Sequence, residues 1–278
     1  MNPIYKKISL KSSAFITQSY STSFSHGVRL LHRNIQLPIH AIYGFVRLAD
    51  EIVDTFHDQD QAQLLDEYRT ATYKAMERGH SINPVLNSFQ WVVNKYGIDR
   101  EFIDSFLNSM EMDLEQKSHD QLSYASYILG SAEVVGLMCL RVFCNNDSKQ
   151  FDELKPHAMS LGSAFQKVNF LRDIKEDVEE LGRVYFPGIS FDDFNANVKS
   201  QIEEEILREF DHAFIGIQKL PASSKLGVYT AYMYYKTLLK KIMRSNAHEL
   251  FSRRIRVSNA QKLALMLQSR TRFELGML

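Results

Sequence analysis

The sequence predicts an all-α protein, a single-domain helical bundle built around a central cavity. Three observations point there. Helix breakers are sparse, with 12 Gly and 6 Pro among 278 residues, while Leu, Glu, Lys and Ala are frequent, a balance that favours helix over sheet. No Gly-, Ser- or Pro-rich linker, composition shift or internal repeat divides the chain, so residues 1–278 read as one domain. Two helical stretches, finally, carry polar stripes flanked on both sides by large apolar groups. A surface helix keeps one apolar stripe for the core; this pattern suits a helix that lines a cavity.

From the N-terminus, residues 1–10 lack the apolar core of a signal peptide. Residues 12–23 are rich in hydroxyls and read as a helix cap or a solvated turn. Leu37-Pro38 is expected to open the first acidic helix, with the proline in its first turn. That helix runs over residues 41–54 and is largely apolar around Arg47, Asp50, Glu51 and Asp54. Asp50 and Asp54 stand four residues apart, with Arg47 one turn earlier. Charge in such surroundings is costly unless something pairs with it. Residues 57–61 read as a solvated loop, because the Gly and Glu of a calcium loop are missing. Residues 64–78 and 85–96 read as amphipathic helices stopped by Gly79 and Gly97.

Residues 99–116 read as a helix with Phe102, Ile103, Phe106, Leu107 and Met110 on one side. The acids Glu111, Asp113 and Glu115 at its end read as a solvated face. Residues 124–143 are apolar with small residues that let a helix or a lipid tail approach closely. Glu133 interrupts them and needs a partner, for which an arginine is expected. The second acidic helix covers residues 166–177, where Gln166, Asn169, Asp173 and Asp177 are spaced three, four and four apart. That spacing stacks them on one face. They are hard oxygen donors of the kind Mg²⁺ takes, although such acidic pairs are also common on solvated helices. Residues 191–210 read as a loop and an outer helix. Tyr229, Tyr232, Tyr234 and Tyr235 suit either core packing or a wall of π faces able to attract a carbocation. Arg253, Arg254, Arg256 and Lys262 supply basic groups near the far end.

The repetition is what matters. Two D-x-x-x-D helices, each with an arginine nearby, could face one another across a cavity and clamp a metal–diphosphate group from both sides. That is the geometry needed to ionise an allylic diphosphate.

These stretches resemble the squalene and phytoene synthases, the head-to-head isoprenoid synthases. The first acidic segment of that family is similar to residues 47–54, and the second to residues 169–177. Gly182-Arg183-Val184-Tyr185-Phe186-Pro187 resembles the family's G-R-x-Y-L-P, with Phe for Leu. Tyr20-Ser21-Thr22-Ser23-Phe24 resembles its S-x-S-F segment. Residues 127–138 resemble its Y-C-Y-x-V-A-G-T-V-G-L-M block, with Glu133 where a small Gly is usual. Residues 251–263 resemble a F-x-R-R-V-R-V-S stretch of bacterial phytoene synthases. The resemblance covers nearly the whole chain in order, and is closest to the bacterial phytoene synthases.

It implies the isoprenoid synthase fold and a Mg²⁺-dependent (or Mn²⁺-dependent) 1-1′ condensation of two prenyl diphosphates. Two geranylgeranyl diphosphates would give phytoene through a cyclopropyl diphosphate intermediate, in carotenoid biosynthesis. Asp50, Asp54, Asn169, Asp173 and Asp177 would hold metal, and Arg47 and Arg172 would neutralise the departing diphosphate. Tyr20, Ser21, Ser23, Tyr127, Gln166 and Asn169 would bind substrate. No NADPH is expected, since phytoene formation ends by losing a proton. The alternatives are a C30 squalene or dehydrosqualene synthase using farnesyl diphosphate, and a non-catalytic assembly-factor relative. The intact four aspartates count against the second, and the absent D-D-x-x-D motif counts against a chain-elongating enzyme.

Charge and cysteine content narrow the setting. Lys+Arg and Asp+Glu both number 33, so no basic excess suggests a nucleic-acid partner. Two lone cysteines, Cys139 and Cys144, suit a reducing compartment. No window reads as a membrane span, the nearest being residues 121–140, which Glu133 breaks. A cytoplasmic protein is expected, with peripheral membrane contact for product release admitted and the oligomeric state open.

Overall fold

A computed structural model describes residues 2–115, 118–179, 182–183, 185–187 and 194–278. Among these, thirteen α-helices and one π turn account for every regular element. They are α1 (Pro3–Tyr20), α2 (Thr22–Arg29), α3 (Arg33–Thr55), α4 (Gln61–Arg78), α5 (Pro84–Tyr96), α6 (Arg100–Glu115), α7 (Gln121–Ile128), the π turn (Leu129–Glu133) and α8 (Val134–Cys144). There follow α9 (Ser148–Glu179), α10 (Ala196–Lys219), α11 (Ala222–Arg244), α12 (Ala247–Ser252) and α13 (Asn259–Glu274). The all-α expectation holds.

Local chemistry sets most boundaries. Asp60 caps α4 by accepting from the Gln63 amide at 3.0 Å, and α4 ends at Gly79 in the left-handed region. Asn83 caps α5, which Gly97 ends in the same way. Asp120 and Ser123 form a reciprocal capping box on α7. Two boundaries depart from expectation. The hydroxyl-rich stretch is not a turn: α1 continues to Tyr20, with Ser13 and Thr17 buried. Their hydroxyls are satisfied by Ser88 Oγ at 2.7 Å and the Ser13 carbonyl at 2.8 Å. And α3 opens at Arg33, so Pro38 lies beyond the first turn and removes one internal hydrogen bond there.

Helices α3 and α9 organise the packing. α3 contacts α1, α4, α5 and α6, while α9 contacts α10, α11 and α12. α8 packs against both. Beneath α3, Phe45 is fully buried and stacks on Phe89 with ring centroids 3.8 Å apart. Truncating such a side chain costs about 3–5 kcal/mol.

Close approach explains the small residues. A Cβ on Gly130 would lie 2.4 Å from the Ser105 carbonyl, and one on Gly162 2.8 Å from that of Ala132. The π turn is thus wedged between α6 and α9. Residues Gln121–Cys144 do form a run long and apolar enough to cross a membrane, with a mean hydropathy of 1.6. Half of it is buried inside the bundle, where Tyr127, Leu137 and Met138 are core residues.

Candidate active site

Asp50 and Asp54 lie one turn apart on α3, Asp173 and Asp177 one turn apart on α9, and Asp113 ends the apolar stripe of α6. Three of them are perturbed by burial and by neighbouring carboxylates. Burial, and then the Asp54 carboxylate, push Asp50 up to about 7. Burial, and then Asp173, push Asp177 up to about 8, with Asp54 and Asp113 adding to the effect. Burial likewise lifts Asp113 to about 7, although Arg183 opposes it. Acids from three helices therefore share one charged pocket.

Arginines brace this pocket from its rim. Arg183 donates to Asp54 Oδ1 at 2.8 Å and lies 3.7 Å from Asp113 Oδ1. Asp113 also accepts from the hydroxyls of Tyr127 at 2.9 Å and Tyr185 at 3.2 Å. Arg172 Nε donates to Asp173 Oδ1 at 2.8 Å, and Arg254 Nε lies 2.9 Å from the same oxygen. Arg254 also reaches Glu176 at 2.6 Å. Burial works against the Arg172 charge, but Asp173 more than offsets it and holds the guanidinium above its usual range. Arg47 pairs with Glu51 at 2.5 Å, with its guanidinium 4.3 Å over the Tyr20 ring.

Beside this pocket opens a cavity of about 300 Å³, walled by α2, the π turn, α8, α9, α10 and α11. That is the lower end of the usual range for ligand sites, roughly 300–1,000 Å³. Its α9 wall is one helix face: Leu154, His157, Ala158, Leu161, Gly162, Phe165, Gln166 and Asn169. Polar groups gather at the acid end, where Tyr235 donates to Asn169 at 3.2 Å and Ser21 and Ser23 lie opposite. The far end, by Leu154, Ile217 and Leu220, is apolar.

The structure gathers the residues that the sequence singled out, with several refinements. Ser21 caps α2 by accepting from Phe24 at 3.2 Å and also lines the cavity. Of the four tyrosines on α11, Tyr229 and Tyr232 pack against Phe214, while Tyr234 and Tyr235 line the cavity. Among the described residues no arginine bears on Glu133. Burial, then Glu209, raise it to about 7, and the cation near it is Lys167.

The reading of Asp113 as a solvated acid is wrong: its side chain is 5% exposed. Asp113, Arg183, Tyr185 and Arg254 complete a site that spacing alone did not assemble. Lys262 reaches Thr22 Oγ1 at 3.2 Å, and burial, then Arg172 and Arg256, hold it below the ordinary lysine range. The loop expected from residue 191 begins outside the described residues.

The donor set suits Mg²⁺. Among the described residues no three His, Cys, Asp or Glu side chains close on one point, so none forms an all-protein cage. Instead, facing pairs of carboxylates carry charge that the arginines leave uncompensated. Mg²⁺ takes such sites, using one or two carboxylates, waters and substrate phosphates.

The squalene/phytoene synthase family matches residues 17–261. A 15-cis-phytoene synthase of Paracoccus is 26% identical, with 92% of this chain and 89% of that protein covered. The chloroplastic phytoene synthase 1 of Arabidopsis thaliana is 27% identical over 90% of this chain, which spans 63% of that longer protein. The fold superposes on a ligand-bound dehydrosqualene synthase with a TM-score of 0.84 at 18% identity, covering 97% of this chain and 98% of that one. The chain belongs to the squalene/phytoene synthase family, whose members are prenyltransferases acting on prenyl diphosphates with a divalent metal.

Proposed function

We propose that this enzyme condenses two geranylgeranyl diphosphates head to head to give phytoene, with Mg²⁺ and without NADPH. The observation that supports C20 over C15 is the length of the cavity wall on α9. From Asn169 to Leu154 it spans 15 residues, about 22 Å of helical rise. An extended isoprene unit advances four carbon–carbon bonds, about 5 Å at bond lengths near 1.5 Å. Four units match the wall, and three leave its last turn empty. A void there forfeits contacts on one side.

Asp50, Asp54, Asp173 and Asp177, with Asn169 beside them, would hold the metal. A bound Mg²⁺ would supply Lewis-acid stabilisation of the departing diphosphate. Arg47 and Arg172 neutralise the departing diphosphate through charge-assisted hydrogen bonds. Lys262, Thr22 and Ser21 stand where a second diphosphate would be received. The apolar cavity excludes water, so the second substrate's double bond captures the allylic cation and hydrolysis is avoided. The ring faces of Tyr234 and Tyr235 stabilise positive charge along that path. Loss of a proton from the captured cation closes a cyclopropylcarbinyl diphosphate; its diphosphate then leaves, and the resulting cation rearranges to the 1-1′ linkage and loses a second proton.

The test is incubation of pure enzyme with Mg²⁺ and either geranylgeranyl or farnesyl diphosphate, with the hydrocarbon identified by mass. A C40 product from geranylgeranyl diphosphate alone is expected. Product from farnesyl diphosphate only with NADPH would make the enzyme a squalene synthase, and from farnesyl diphosphate without it a dehydrosqualene synthase.

A further inference from the structure

The first acidic residue of this chain is Asp50. The 49 residues before it hold Lys6, Lys7, Lys11, Arg29, Arg33 and Arg47 but neither Asp nor Glu, although the whole chain is neutral. Three of those lysines lie on α1, whose outer face is apolar. Ile4, Ile8, Lys11 and Phe15 fall within about 60° of one another around the helix axis, at roughly 100° per residue. Ile4 and Phe15 are both 72% exposed, and Ile8 51%. Ser9, Leu10, Ser13 and Thr17 fasten the opposite side of α1 within the bundle, so the stripe cannot turn inward.

Neighbouring segments extend the same face. The Tyr5 hydroxyl donates to the carbonyls of Ser81 at 3.0 Å and Ile82 at 2.6 Å. This holds Ile82, 91% exposed, beside the first turn of α1. Residues 79–98, which include α5 alongside α1, contain Lys95 and again no acid. Lys6 and Lys95 lie 3.8 and 5.0 Å over the Trp91 ring.

An exposed apolar stripe edged by lysines, with no acid in it, is the chemistry of a helix lying among anionic lipid headgroups. Lysine stems lie along the apolar surface while their ammonium groups reach phosphate. We infer that α1, with the Ile82 tip and Lys95, docks the protein on an anionic membrane surface. Charge commits the face to this occupant, because a two-fold dimer through the same patch would set lysines against lysines. The proposed activity gives docking a purpose, since the product is a water-insoluble hydrocarbon, but the inference stands on the face itself.

Sedimentation of the full-length protein with vesicles, without substrate, tests this independently of the condensation. Protein should pellet with phosphatidylcholine–phosphatidylglycerol vesicles, remain in the supernatant with phosphatidylcholine alone, and be released by salt. Lys7→Gln with Lys11→Gln should bind about 30-fold more weakly, at roughly fivefold per lysine. Phe15→Ser should bind about tenfold more weakly through lost apolar burial. Leu263→Ser with Leu267→Ser, on the exposed stripe of α13, should bind like the parent. All three variants replace exposed side chains, and unchanged melting would confirm their folding. A parent that ignores the mixed vesicles, α1 variants that pellet as well as the parent, or vesicle-free self-association abolished by Phe15→Ser would overturn the inference.

Discussion

Arg183 and Asp54, 129 residues apart in the chain, meet at 2.8 Å, and the same guanidinium lies 3.7 Å from Asp113. One cation thus ties the segment after α9 to the ends of α3 and α6. Its removal leaves Asp113 buried beside other acids.

Arg183→Gln should therefore destabilise the protein in a pH-dependent way. Breaking a buried pair costs about 3 kcal/mol or more while the orphaned charge persists. Asp113 already titrates near 7, well above an ordinary carboxyl, with Arg183 present. Without it the carboxyl protonates more readily, so the loss should be large at about pH 8 and shrink by about pH 6. Urea unfolding at both values checks this. Equal losses would mean that Arg183 does not restrain Asp113.

Asp50→Asn and Asp173→Asn should separate function from stability. Each should lower kcat by about 100-fold or more, since charge stabilisation of the leaving group is lost. Asp50→Asn should melt at or above the parent temperature, because burial and Asp54 already disfavour its charge. Asp173→Asn should melt lower, because Arg172 and Arg254 lose their shared partner. Activity assays and thermal melts on both variants decide it, and matching melts would contradict the pairing.

Ala158→Phe should shorten the preferred substrate. Ala158 lies 11 residues from Asn169 along the cavity wall, about 16 Å of rise, or three isoprene units. Phenylalanine there should cut kcat/KM for geranylgeranyl diphosphate tenfold or more while sparing farnesyl diphosphate. Equal losses on both substrates would show that the α9 wall does not measure length.

Glu133→Gln should stabilise the protein at alkaline pH. The folded carboxyl titrates near 7 because of burial, then Glu209, against an ordinary value of 4.5. A raised carboxyl favours the protonated form, so its unfavourable contribution is absent below about pH 4.5, grows up to about pH 7 and is complete above it. The variant should then exceed the parent by about 1 kcal/mol, discounted for partial solvent access. A margin that fails to shrink on acidification would show that Glu133 does not titrate there.

The four aspartates are legible in the sequence because helical spacing is local: residues four apart share a face wherever the helix packs. Their arginine partners are not, because Arg183 and Arg254 arrive from segments whose placement is tertiary. Asp113 leaves a signal that composition hides. Glu111 and Asp113 lie about 200° apart on α6, and Asp113 continues the buried stripe of Phe106 and Met110. It therefore points inward while Glu111 pairs with Arg69 at 2.8 Å. The small residues of 124–143 announce close packing, but period alone gives no sign of the π turn. Pro38 shows the converse, a local start signal overridden by packing of the preceding turn.

That π turn sets the phase between two rotors. One extra residue in a helical turn rotates the upstream helix by about 100° relative to the downstream one. Upstream, Tyr127 is aimed at Asp113; downstream, Val135, Gly136 and Cys139 form cavity wall. Deleting one residue between Leu129 and Glu133 would leave a regular helix of nearly unchanged length and apolarity. It would also turn Tyr127 away from the acids while the wall stayed in place, so the lineage of this site can be retuned by an indel as well as by substitution.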